Sequence, residues 1–254
     1  VEIRSLKIAN YLTASMGAVA IMSENEAKID ATISKFEVAN VTAQNVSSKG
    51  GALYLKGNVE ANVSEAAFTS TYADEGGAIY LSGGANLTIS NVDFVSIATE
   101  KSATLSRVVT GAVVYVTGST ITLSDATITG TVISQAGSLM CFEEVSKATL
   151  ENVEFVSNTV YSQSSLDGFG LVVGGKVEFS ITGGRFAGNV FAKDVINFAD
   201  QMGYFVSGVV FEGNEIKTST TNGILKVTNS NNIIQNCEFI DNTAAGDCAG
   251  VFVT

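Results

Sequence analysis

The sequence contains no histidine, no tryptophan and no proline. Without histidine, the chain lacks the side chain that most often serves general acid–base catalysis near neutral pH. Without proline, every residue after the first keeps a backbone N–H that can join a β ladder. Only 15% of the residues are charged, and Gly, Ser, Thr, Asn and Val recur throughout. This composition predicts a β-rich chain with many tight turns.

Basic residues are also scarce, since 14 Lys and Arg face 25 Asp and Glu and give a net charge of −11. Phosphate binding needs a basic face, so we expect no nucleic-acid partner. The longest uncharged run, residues 108–124, is interrupted by Gly, Ser and Thr, and it is too short and polar to span a bilayer. The sequence therefore predicts no transmembrane segment, and its 46% of hydrophobic residues suffices for a continuous core.

A repeat with steps of 25 to 34 residues organises the chain. Each copy carries one large apolar residue, which we interpret as an interior anchor. The eight predicted anchors are Phe36, Phe68, Phe94, Ile128, Phe155, Phe186, Phe211 and Phe239.

A turn former lies three residues before the anchor in six of the eight copies. These predicted corner residues are Asn91, Asp125, Asn152, Gly183, Gly208 and Asn236. Asn, Asp and Gly enter the left-handed backbone region at low cost, so they mark a sharp bend between two short strands. Ahead of the bend, apolar and polar residues alternate, as in Leu87-Thr88-Ile89-Ser90.

A third strand follows a variable loop and begins with glycine at 50–55, 76–81 and 111–116. Three short strands per copy cannot bury their apolar sides alone, but stacked copies close a continuous core. We therefore predict an all-β, right-handed, single-stranded parallel β-helix of about eight coils, with the hand taken from the preference of parallel crossovers. An antiparallel sandwich, the rival fold, does not predict the same corner recurring at coil spacing.

The whole chain, residues 1–254, is expected to form one β-helix domain, with a less regular N-terminal part at residues 1–28. Residues 249–254 read as a strand without a polar cap. We therefore expect the domain to be a segment of a longer solenoid.

Two short motifs occur together in this chain. Gly-Gly-Ala-Leu/Ile stands at 50–53 and 76–79, and Phe-x-x-Asn ends at Asn158, Asn189, Asn214 and Asn242. The pairing resembles the repeats of chlamydial-type polymorphic outer-membrane proteins, over about residues 30–254. The resemblance implies a pectin-lyase-like β-helix in a cell-surface protein with an adhesin-like or scaffolding role. The first four copies depart from it, with Ala39, Thr71, Ile97 and Thr131 in place of the final Asn.

Polysaccharide lyases and hydrolases share this fold, so an enzyme is the alternative function class. Glycoside hydrolysis needs convergent carboxylates. The adjacent pair Glu143 and Glu144 would point to opposite faces of a strand, and no Asp-Asp pair occurs. We therefore predict no catalytic residues, no metal site and no cofactor.

Tyr54, Tyr80 and Tyr115 occupy comparable positions in three successive third strands. We predict that they form an exposed ladder that either contacts a partner or stiffens the rod by stacking.

Two further features are candidate sites of covalent modification. Asn40, Asn45, Asn62 and Asn86 begin Asn-x-Ser/Thr sequons, which are candidate N-glycosylation sites in a secreted protein. Cys237 and Cys248 flank one corner loop and are a candidate disulfide, while Cys141 is left over.

Together these features predict a non-enzymatic extracellular or cell-surface module that serves as a spacer, adhesin or filament subunit. The expected partners are other protein chains or surface glycans, and the chain is a candidate for homo-oligomer or filament assembly. The loops at 98–110 and 158–169 are where we expect contacts.

Overall fold

The computed structural model describes residues 1–24, 26–98, 109–161, 167–174, 176–198, 203–219, 223–228, 232–246 and 248–253. Within these ranges the chain forms 26 strands in three parallel sheets and no helix. Much of the predicted contact loops at 98–110 and 158–169 lies outside the described residues.

Sheet 1 is the largest and runs through every winding. Its main path contains β1 (Glu2–Thr13), β3 (Ile29–Ala43), β5 (Val59–Thr69), β7 (Asn86–Val95), β9 (Thr120–Thr129), β12 (Lys147–Val156), β15 (Glu178–Thr182), β19 (Tyr204–Ser207) and β23 (Ile233–Gln235). In the later windings the second half of the long strand is separate, as β16 (Arg185–Ala187), β20 (Val210–Glu212) and β24 (Glu238–Ile240).

Two further sheets complete the windings. Sheet 2 contains β10 (Val132–Ile133), β13 (Thr159–Val160), β17 (Val190–Phe191), β21 (Glu215–Ile216) and β25 (Thr243–Ala244). Sheet 3 contains β2 (Val19–Met22), β4 (Leu53–Lys56), β6 (Ile79–Ser82), β8 (Val114–Thr117), β11 (Gly137–Glu143), β14 (Gly168–Val173), β18 (Ile196–Phe198), β22 (Leu225–Val227) and β26 (Val251–Val253).

Each strand pairs in parallel with its copy one winding later, as in Leu87 with Ile121 and Thr88 with Thr122. Alternate residues point inward, so Leu87 and Ile121 are fully buried. The predicted all-β parallel solenoid is confirmed, and the antiparallel sandwich is excluded for the described strands.

Seven of the eight predicted anchors lie in one column. Phe68, Phe94, Ile128, Phe155, Phe186, Phe211 and Phe239 are consecutive register partners. The rings of Phe155 and Phe186 are parallel, with their centroids 4.3 Å apart. A row of stacked aromatic rings therefore forms part of the core in the later windings.

Phe36 is the exception, and its assignment to the anchor column was wrong. The register partner of Phe68 is Val38, while Phe36 aligns with Ala66. Residues two apart on a strand face the same side, so Phe36 is still completely buried and contacts the Phe68 ring edge-on at 5.6 Å.

All six predicted corner residues have left-handed backbones, with φ between 50° and 66°. The same position in the first three windings is held by Ser5, Lys35 and Glu65, whose φ values are 53° to 54°. A second left-handed row follows two residues after the anchor, at Asn10, Asn40, Ser70, Ser96, Gly130, Ser157, Gly188, Gly213 and Asp241. Two bends per winding therefore turn the long strand around the core.

The N-terminal residues are more regular than expected. β1 pairs with β3 at ten positions from Glu2 to Thr13, and β2 pairs with β4. β1 and β2 thus add one winding in register below the eight anchored ones. In the described part of the chain, no helix is long and apolar enough to be a membrane span.

Candidate functional site

The four Phe-x-x-Asn asparagines form a ladder inside the solenoid. Asn189 shows the pattern: its Oδ1 accepts the N–H of Asn158 at 2.9 Å, and its Nδ2 donates to the carbonyl of Phe155 at 2.8 Å and to Oδ1 of Asn214 at 2.9 Å. Asn214 continues the ladder to Asn242. Asn158, Asn189 and Asn214 are completely buried, so this motif is used for internal hydrogen bonding.

The outer side of sheet 3 carries the predicted tyrosine ladder. Tyr54, Tyr80 and Tyr115 are register partners, and both neighbouring ring pairs are stacked at 5.3 Å with an interplanar angle of 5°. The predicted exposure was wrong for the first two rings, because Tyr54 is 8% exposed and Tyr80 is 4% exposed. Tyr115 is partly buried.

A charged cover explains the burial of the middle ring. The Lys49 ammonium lies 4.6 Å from the centroid of the Tyr80 ring and donates to its hydroxyl at 2.9 Å. The same ammonium forms an ion pair with Glu75 at 3.1 Å. Burial lowers the pKa of Lys49, but its bonds to Tyr80 and Glu75 outweigh burial and leave the pKa raised. The ammonium therefore stays charged over the ladder.

The last tyrosine connects to a thiol and a carboxylate. The Tyr115 hydroxyl donates to Oε2 of Glu143 at 2.6 Å, and Cys141, the register partner of Tyr115, lies 3.6 Å from Oε1 of Glu143. Burial first, and Glu143 second, raise the pKa of both Tyr115 and Cys141. Both groups are therefore protonated at neutral pH, and Cys141 is not an activated nucleophile.

Beyond Tyr115 the outward column becomes smaller, because Cys141 and then Val172 take the tyrosine position. A groove of about 350 Å³ opens there, and Cys141, Val172, Phe169, Glu143 and Asp167 are among its lining residues. This hollow combines an aromatic ring with two carboxylates.

Both carboxylates of this groove already have partners. Glu143 accepts the Tyr115 hydroxyl, and Asp167 forms an ion pair with Lys193. The Lys193 ammonium also lies 5.5 Å from the centroid of the Phe169 ring. In a glycosidase pair one carboxylic acid protonates the leaving oxygen and the other carboxylate acts as a base or a nucleophile, whereas here each carboxylate is engaged by a protein side chain.

Sequence reasoning missed the regularity of the outer face of sheet 1. Its outward positions form two columns of mainly hydroxyl side chains that run along the windings. One contains Thr32, Asn62, Thr88, Thr122, Thr149 and Ser180, and the other contains Ser34, Ser64, Ser90 and Ser124. The corrected register was needed only to add Thr32 and Ser34 to these columns.

Charges on sheet 1 are paired between windings. Lys7 bonds Glu37 at 2.7 Å, and Arg185 bonds Glu154 at 3.2 Å, each one winding apart. These exposed pairs contribute little to stability but keep the face electrically mixed.

The four sequon asparagines, Asn40, Asn45, Asn62 and Asn86, are all exposed. Asn62 and Asn86 lie on sheet 1, Asn40 lies at a bend, and Asn45 lies between β3 and β4. Their side chains are accessible for a glycan.

The predicted disulfide is not present, since Cys141, Cys237 and Cys248 are all free thiols. Cys237 lies against the backbone oxygens of Val206 and Gln235, and Cys248 lies near that of Val251. The short loop places the two sulfur atoms against different backbone segments, so proximity in sequence does not become contact.

One buried acid lies apart from the groove. Asp194 is completely buried and accepts the N–H of Gly223 and the side-chain amide of Asn197, both at 3.0 Å. Burial raises the pKa of Asp194 against the opposing effects of these donors. Among the described residues, no group of three or more Cys, Asp and Glu is placed to hold a metal ion.

Comparison with known families gives one match. The profile of the family described as "Right handed beta helix region" matches residues 110–254, which is more than half of the chain. No curated protein and no solved structure matches the chain.

Proposed function

The chain belongs to the right-handed β-helix family, and we propose that it is a non-enzymatic extracellular or cell-surface module with a structural or adhesin-like role. The observation that carries this proposal is that the residues of the repeated motifs contact one another inside the solenoid. The side chains of the Asn ladder and the Phe stack make their contacts inside the solenoid. They therefore stabilise a rigid rod, and recognition of a partner falls to the outer surface.

The outer surface supports partners of two kinds. The mainly hydroxyl columns on sheet 1 offer donors and acceptors to neutral surface glycans or to other protein chains. The net charge of −11 disfavours polyanionic partners. The resemblance to polymorphic outer-membrane repeats supports the same role, and it extends the proposal to filaments or side-by-side surface assemblies.

An extracellular location also agrees with the exposed sequons, which would carry glycans if the host secretes the chain through a glycosylating pathway. Intact-mass measurement of native material tests this part. Heavier species whose mass falls to that of the unmodified polypeptide after glycosidase treatment support it. Material that already has the unmodified mass counts against a glycoprotein.

The alternative is a polysaccharide-active enzyme, and the groove with Glu143 and Asp167 is the observation that favours testing it. The test is an activity screen on uronate and neutral glycans, with and without Ca²⁺, using the wild type, Glu143→Gln and Asp167→Asn. Turnover by the wild type that both variants lose would overturn the proposal. No turnover by any of the three, with retained binding to cells or glycans, supports it.

Binding should depend on the outer face of sheet 1. A variant with Thr88→Lys and Thr122→Lys adds two charges to that face without touching the core, because both side chains point outward. We expect weaker adhesion to host or neighbouring cells than for the matched variant Thr149→Ser, which keeps the hydroxyl. Equal adhesion by both variants would remove this face from the proposal.

A further inference from the structure

The stacked tyrosines on sheet 3 have a geometry that favours a covalent reaction between windings. The rings of Tyr80 and Tyr115 lie face to face at 5.3 Å and 5°. Their backbones are register partners on β6 and β8. Since the sheet fixes the spacing of the two strands, the two phenols remain neighbours for as long as the solenoid is folded.

Tyr115 is the ring best placed to be oxidised first. A protonated phenol loses an electron much more easily when a base accepts its hydroxyl proton at the same time, and the Glu143 carboxylate already accepts that hydrogen bond at 2.6 Å. Tyr115 is also more exposed than the other two rings of the ladder. The Tyr80 hydroxyl, in contrast, accepts a hydrogen bond from the Lys49 ammonium, and this positive charge opposes electron loss from Tyr80.

We propose that Tyr115 and Tyr80 are a site of oxidative cross-linking, which joins consecutive windings as dityrosine when a peroxide supplies the oxidising equivalents. Each tyrosine loses one electron and its phenolic proton: Glu143 takes the proton of Tyr115 and passes it to solvent, solvent takes the proton of Tyr80, and the peroxide consumes both protons and both electrons as it forms water. The two rings then join through a carbon next to each hydroxyl, and the hydrogens displaced from those carbons return to the oxygens. Two tyrosines and one hydrogen peroxide thus give one dityrosine and two waters.

The bond would close a loop between two windings and so limit the freedom of the unfolded chain, as a disulfide does. It provides a covalent staple in a described structure that contains no disulfide. The inference depends on the ladder geometry and on the hydrogen bond from Tyr115 to Glu143, and it is independent of the proposed surface role.

The test treats the full chain at low concentration with hydrogen peroxide and a small iron porphyrin. Dityrosine fluorescence measures the product, and digestion with mass spectrometry locates it. We expect a peptide pair joined at Tyr80 and Tyr115, lighter by two hydrogens than its separate members, and a higher midpoint of thermal unfolding. Protein unfolded in urea should not give this pair.

Variants separate the ladder from other sources of cross-links. Tyr80→Phe and Tyr115→Phe keep a stacked ring and should each abolish the linked pair. Tyr11→Phe, which alters an exposed tyrosine outside the ladder, should leave it unchanged. Glu143→Gln should slow formation several-fold, because the proton acceptor is lost. Circular dichroism shows whether each variant keeps the β fold.

The proposal would be overturned by a folded, oxidised protein without the Tyr80–Tyr115 pair, by a bond from Tyr115 to the sulfur of Cys141, or by a bond between Tyr54 and Tyr80 formed in preference. Cross-links found only between separate molecules would overturn it as well.

Discussion

At the scale of single residues, the buried asparagines carry the clearest energetic consequence. Replacing Asn189 with Ala removes the acceptor of the Asn158 N–H and the donor to the Phe155 carbonyl, and both are enclosed in the core. Each buried backbone group left unpaired costs about 1–3 kcal/mol. We therefore expect Asn189→Ala to lose about 3 kcal/mol of stability in urea unfolding.

The matched control for this change is Asn62→Ala, which truncates an exposed asparagine on sheet 1. An exposed substitution of this kind should change stability by no more than about 0.5 kcal/mol. Equal effects of the two substitutions would show that the ladder does not support the fold.

Asp194 predicts a pH dependence. Because burial raises its pKa in the folded chain, the folded state binds more protons than the unfolded state between the ordinary Asp pKa of about 3.9 and the raised value. Its contribution to stability therefore declines as pH rises through that window. Asp194→Asn keeps an oxygen for the Gly223 N–H but does not titrate.

The measurement is the stability of Asp194→Asn minus that of the wild type, taken by urea unfolding at successive pH values. This difference should grow as pH rises through the window, since the other carboxyl groups are common to both chains. A difference that shrinks with rising pH would mean that the folded pKa is lowered.

At the scale of elements, the bends decide where each strand turns. Asn152 has φ of 52°, which asparagine and glycine tolerate and a β-branched residue does not. Asn152→Val should cost about 1–2 kcal/mol, whereas Asn152→Gly should cost well under that. Glu151→Val, at the exposed neighbour, controls for added apolar surface. Equal unfolding midpoints for the three variants would contradict a left-handed bend at Asn152.

The bends also show what the sequence could predict. Where Asn, Asp or Gly holds the corner, spacing to the anchor identified both residues. In the third strand of the chain the corner is Lys35, which carries no turn signal, and Phe36 and Val38 both face inward. The alternation of apolar and polar residues could not distinguish Phe36 from Val38 as the anchor. The predicted register of this strand was therefore wrong by two residues.

The burial of the tyrosine ladder could not be predicted from the sequence for a different reason. Alternation along β4 and β6 correctly placed Tyr54 and Tyr80 on the outer side of sheet 3. The cover of Tyr80 comes from Lys49, which precedes β4 and whose ammonium lies over the ring and forms an ion pair with Glu75. Lys49 and Glu75 are register partners at repeated positions, but the repeat does not fix the direction in which the lysine side chain turns.

At the scale of the whole molecule, the account depends on one arrangement: successive windings lie parallel and in register, so that equivalent residues form columns through the solenoid. Charged residues are few and their exposed pairs are weak, so the stacked core and ladders hold the columns together. The family, the fold and the position of every candidate site follow from this arrangement.

Disulfide trapping tests the parallel, in-register stacking of the windings most directly, in a chain whose Cys141, Cys237 and Cys248 are replaced by Ala. Thr88→Cys with Thr122→Cys places two cysteines at register partners, where the strand spacing of about 4.8 Å suits a disulfide. Thr88→Cys with Thr120→Cys shifts one cysteine by two residues, and the expected Cα separation of about 8 Å is too long. Efficient oxidation of the first pair and not the second is the predicted result; a second pair that closes as readily as the first, or a first pair that stays reduced, would contradict the stacked register.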